Sequence, residues 1–84
     1  MKPGMRTAKI RFTVDAGLLD RGQVRTFLGK IKSQVLWQEP DVTVLIEETK
    51  VGLMSHFEFQ AHGLSEVLAE AVKITVNKAK HQGN

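Results

Sequence analysis

The chain predicts a single small α+β domain in the order strand, helix, strand, strand, helix. Three patterns carry that prediction: a two-residue alternation near the start, an amphipathic helical stripe behind it, and a second alternation leading into a broad apolar helix. Each element has its own signal.

From Ala8 to Val14, Ile10, Phe12 and Val14 share one face while Lys9, Arg11 and Thr13 share the other, as in a half-buried strand. Asp15-Ala16-Gly17 ends it. Asp20, with Gln23 three places on, forms a capping-box-like helix start. Behind it Val24, Phe27, Leu28, Ile31 and Val35 make one helical stripe. Pro40 restricts the residue before it, so the helix is expected to stop near Leu36 or Trp37.

Val42, Val44 and Ile46 alternate with Thr43, Leu45 and Glu47 in a second strand, and Thr49 to Gly52 is expected to turn, with Gly52 at positive φ. Ser55, Phe57, Phe59 and Ala61 then alternate with polar neighbours in the clearest strand signal. His62-Gly63 is expected to break that strand, Ser65 to cap the next helix, and the helix to run over about residues 66–80. Its apolar set (Leu64, Val67, Leu68, Ala71, Val72, Ile74, Val76, Ala79) spans about 200° of the wheel at roughly 100° per residue, more than one sheet can cover.

A helix between the first two strands implies a right-handed crossover that makes them parallel, and the short turn makes strands two and three antiparallel. The simplest sheet has order 1-3-2 with both helices on one face. As topology, this is the ferredoxin-like pattern lacking its last strand.

Length and composition agree. The 84 residues leave room for one domain, 1–84, with flexible ends expected at 1–6 and 81–84. An apolar fraction of 42 % and a charged fraction of 25 % are those of a folded chain. There is no cysteine, so neither disulfides nor thiolate-bound zinc support the fold. The amino terminus has basic residues but no apolar run behind them, and no segment approaches the ~20 apolar residues of a membrane span. A soluble, cytoplasmic protein is the expectation.

The net charge of +3 is unevenly spread. Residues 1–32 carry eight basic side chains against two acidic, residues 33–72 carry one basic against seven acidic, and the last twelve add Lys73, Lys78 and Lys80. Such asymmetry marks either a face for an anionic partner or pairing between neighbouring elements.

No catalytic motif stands out. There is no phosphate-binding glycine loop and no nucleophile elbow, and Gly17 to Gly22 lacks the inner glycine of a dinucleotide fingerprint. His56, Glu58 and His62 share one strand face. His56 and Glu58, ~6.6 Å apart along the strand, are close enough to share a ligand, but His56 and His62 lie about 20 Å apart, too far to chelate one metal. No enzyme activity, cofactor or metal is expected.

Two partner classes remain. The leading expectation is a non-enzymatic interaction module, self-associating or bound to another protein, in an accessory or regulatory role. Its contact residues are Lys9 and Arg11 on the unpaired edge of the first strand, a strip of small residues on the first helix (Gly22, Thr26, Gly29, Ser33), and Ile74 and Val76 on the second. The alternative is a nucleic-acid-binding adaptor contacting phosphates. Arg21, Arg25 and Lys32 fall within about 40° of one another on the first helix, and Lys2 and Arg6 precede the first strand. Phe12, Phe57 and Phe59 share the core phase, so no aromatic platform for stacking bases is expected on the open sheet face.

Overall fold

A computed structural model describes residues 7–82. The Lys2 and Arg6 contacts expected from the sequence, and the ends 1–6 and 83–84, lie outside them. The chain forms β1 (Ala8–Ala16), α1 (Arg21–Gln38), β2 (Thr43–Val51), β3 (Met54–Leu64) and α2 (Glu66–Gln82). The sheet has the expected order β1-β3-β2, with β3 antiparallel to both neighbours.

The core lies between the sheet and the two helices. Phe12, Phe59 and Ile46 form one cross-sheet row, and Ile10, Ala61 and Val44 the next. Phe59 is fully buried and stacks on Phe12, ring centroids 5.0 Å apart. Leu28, Ile31 and Val35 of α1, with Leu68, Ala69, Val72 and Val76 of α2, close this layer. The i, i+3, i+4 stripes thus meet the i, i+2 stripe of the sheet, and burying both faces together makes the fold.

The boundaries depart from expectation in three informative places. β2 and β3 are longer than their alternation suggested, because the hairpin is only Gly52-Leu53. Gly52 has φ +61° while Leu53 keeps a negative φ, the pattern of a type II′ turn, whose twist matches the strands and lets Val51 pair with Met54. Gly63 does not end β3. It sits at φ +86° where the β1–β3 register slips between Ala8 and Lys9, an extra residue that turns Leu64 into the core.

Third, the capping box at α1 does not form. Asp20 has helical φ −99° and ψ −7°, and its side chain makes no capping bond. A turn closed by the Asp20 N–H on the Gly17 carbonyl leads into the helix instead, so the carboxylate is not swung over the first amides. α1 ends at Gln38, and Glu39 takes an extended conformation ahead of Pro40.

Candidate interaction surface

Several of the polar side chains singled out by sequence already have partners within the fold. Arg21 leaves the first turn of α1 and makes a two-pronged ion pair with Glu48 of β2, which also accepts a bond of 2.7 Å from the Ser55 hydroxyl. The phase of Val44 and Ile46 carries Glu48 to the helix side of the sheet, where a carboxylate needs partners. The Arg21 hydrogen bond, then that from Ser55, holds the Glu48 carboxyl down to about 2, and Glu48 raises the Arg21 guanidinium in turn. The proposed basic ridge therefore loses its first member to an internal pair, leaving Arg25 and Lys32 exposed. Here the charge asymmetry is pairing between elements.

On the open face Arg11 lies directly opposite Gln60 and reaches diagonally to Glu58, which also accepts from the Gln60 amide at 3.0 Å. Arg11 above all holds the Glu58 carboxyl below its usual range. His56 is turned to Asp15 of β1, Nδ1 to Oδ1 2.6 Å. Thr49 of β2 completes a row Asp15, His56, Thr49 across the sheet. The row is exposed to water. His62 stands in another row, opposite Lys9 and Thr43. Among the described residues no group of three or more His, Cys, Asp or Glu side chains is placed to hold a metal ion.

At the opposite end Glu39 bonds both the Ser65 N–H (2.9 Å) and its hydroxyl (2.6 Å), and the Leu68 N–H donates to the Ser65 oxygen at 3.2 Å. Ser65 is thus the N-cap expected from the sequence, itself fastened to the end of α1.

What remains is the sheet edge. β1 has β3 on one side and, among the described residues, no strand on the other. α2 packs against β1, and between them runs a groove with Ile10, Phe12 and Val76 at its base and Lys73, Asn77 and Lys80 on the helix side. Phe12, Val14 and Ala8 are only partly covered, unlike the Phe57 and Phe59 side chains beside them. Lys9 and Arg11, the expected edge residues, are exposed here.

The wide apolar arc of α2 divides. Ile74 is 49 % exposed, as a contact residue must be, whereas Val76 is 6 % exposed and belongs to the core under β1, which corrects its expected place at the surface. The small-residue strip of α1 faces outward: Gly22, Thr26 and Ser33 are exposed and Gly29 partly so, and a Cβ added at either glycine would meet nothing within 4 Å. Sequence reasoning missed one feature. Leu18 and Leu19 before α1, and Val51, Leu53 and Met54 around the hairpin, are all exposed at one end of the sheet, Leu19 by 93 %. A Cβ on Gly17 would lie 4.0 Å from the Met54 sulfur, so the two loops adjoin. Met54 falls in the alternation of β3, but Leu18, Leu19 and Leu53 carry no periodic signal, and only the pairing of Ala16 with Ser55 brings the two segments together.

Among the described residues no helix is long and apolar enough to cross a membrane. No protein-family model, curated protein or solved structure matches the chain.

Proposed function

We propose that this protein is a non-enzymatic interaction module that self-associates through the outer edge of β1, in an accessory or regulatory role. The observation that carries the reading is the β1 edge itself. A nine-residue strand has, among the described residues, no partner strand on its outer side, beside a groove whose apolar base, Ile10, Phe12 and Val76, has α2 along one side. Unpaired strand edges are templates for another strand, and here side chains beside the edge gain cover when one arrives. Lys9 and Arg11 set the charge at that edge.

Phosphate binding through α1 is the weaker reading, because Arg21 is committed to Glu48. Sedimentation equilibrium of the intact chain tests the leading one: a reversible dimer is expected, and a strict monomer at high protein concentration overturns it. A mobility-shift assay at low salt reports separately on nucleic acid, with no retardation expected at micromolar protein.

A further inference from the structure

We infer that the partner at the β1 edge is a second copy of β1, antiparallel, with the two-fold axis passing at Phe12, so that Lys9 of each copy stands opposite Asp15 of the other. This deepens the self-association reading and rests on it.

Side chains on the two faces of a sheet must match across a new ladder, so in an antiparallel self-pairing the axis passes at a residue and each position i meets a fixed partner. Few registers keep most of β1 paired. An axis at Ile10 sets Lys9 against Arg11 of the other copy, and one at Arg11 sets Arg11 against itself; like charges directly opposite oppose pairing. An axis at Thr13 brings Arg11 to Asp15 but leaves Ala8 and Lys9 outside the strand ladder. An axis at Phe12 pairs all of Ala8–Ala16. It sets Lys9 on Asp15 twice, Arg11 on Thr13, Ile10 on Val14 and Phe12 on Phe12.

The side chains are free to do this. Asp15 bonds His56 yet stays 66 % exposed, and a carboxylate accepts several donors. Phe12 and Val14, partly covered in one chain, would cover their counterparts in the other. On α2, Glu66, Glu70 and Lys73 line a separate hollow beside Ala8 and Lys9, while Lys80 borders the groove that reaches Phe12. A two-fold axis at Phe12 runs the two α2 helices antiparallel with their Lys80-bearing ends toward it, so the charges that select the register are those of β1.

The test uses Lys9→Asp and Asp15→Lys in the intact chain, each checked for folding by far-ultraviolet circular dichroism. Alone, each variant places like charges at both symmetry-related sites and is expected to raise the dimer dissociation constant about tenfold, the scale of cross-strand charge pairs taken twice. Mixed in equal amounts, the variants form a heterodimer in which one copy is acidic at both positions and the other is basic at both. Opposite charges then face each other at both sites, and the parent affinity is expected to return. Two variants that dimerise like the parent, or a mixture that does not recover, overturn the register while self-association stands. Recovery of Asp15→Lys by Arg11→Asp instead of Lys9→Asp would move the axis to Thr13 and overturn it equally. A monomeric parent overturns both.

Discussion

The two edges of the sheet have the same geometry and opposite electrostatics. β1 and β2 are each nine residues long, each pairs with β3 along one side, and each, among the described residues, ends the sheet on the other. A full-length antiparallel copy of β1 would set Lys9 against Asp15, whereas a full-length copy of β2 would set Glu47 against Glu47. The β2 edge already has the like-charged pair Glu47 and Glu58 face to face across the ladder. Exposed backbone alone therefore does not choose an edge. Charge at the ends of a strand makes it self-complementary, and charge at its centre makes it self-repelling.

Predictions that break or sharpen this contrast begin with the residue both edges share. Phe59 lies between Phe12 and Ile46 with no exposed surface, and Phe59→Ala is expected to cost about 3–5 kcal/mol and to lose both edges with the fold. Urea denaturation measures it; a loss below about 1 kcal/mol would mean that the shared row does not hold the sheet.

Next is the helix alongside β1. Removing the α2 cap with Ser65→Ala is expected to cost about 1 kcal/mol, because the Leu68 N–H loses its acceptor and Glu39 loses a donor. An unchanged denaturation midpoint would show that the cap is idle.

The edges are then compared directly. Thr13→Lys on β1, facing Arg11 of the second copy, is expected to weaken self-association by up to about 2 kcal/mol over two sites, while Leu45→Lys on β2 leaves it unchanged. Equal effects, read by sedimentation, would erase the distinction between the edges.

The smallest effect belongs to the β2 side and depends on pH. Glu48 titrates at about 2 in the folded chain, below its unfolded value, so its contribution is fully present above the unfolded carboxyl range and is lost as pH falls toward 2. Glu58, lowered by Arg11, acts in the same direction. Because both pairs are partly exposed, the slope is expected to be shallow. Glu48→Gln should flatten it further in denaturation series between about pH 5 and 2, and an unchanged slope would assign the acid sensitivity elsewhere.

Much of the fold was legible because alternation and helical stripes are local consequences of burying one face. Ile10, Phe12 and Val14 predicted β1; Ser55, Phe57, Phe59 and Ala61 predicted β3; Ser65 marked the start of α2. Less legible were features that depend on two elements meeting. Glu48 shares the core phase of Ile46, a signal present in the sequence, but its partner Arg21 lies 27 residues away. Gly63 has the composition of a stop and acts as a bulge, because β1 continues alongside it. Val76 and Ile74, two apolar residues of one helix, are equivalent in hydropathy and are separated only by which side β1 occupies.

By itself the sequence determined the element order, the face of each strand that goes inward, and the charges along β1, since these follow from residue chemistry at periods of two and 3.6. Tertiary structure decided which charges are spent. Arg21 and Glu48 come together only when α1 crosses from β1 to β2, and Leu18 and Leu19 adjoin the hairpin only through β3. The physical reason is that periodicity reports one element's relation to the core, whereas an unsatisfied edge is defined by a neighbour that is not there.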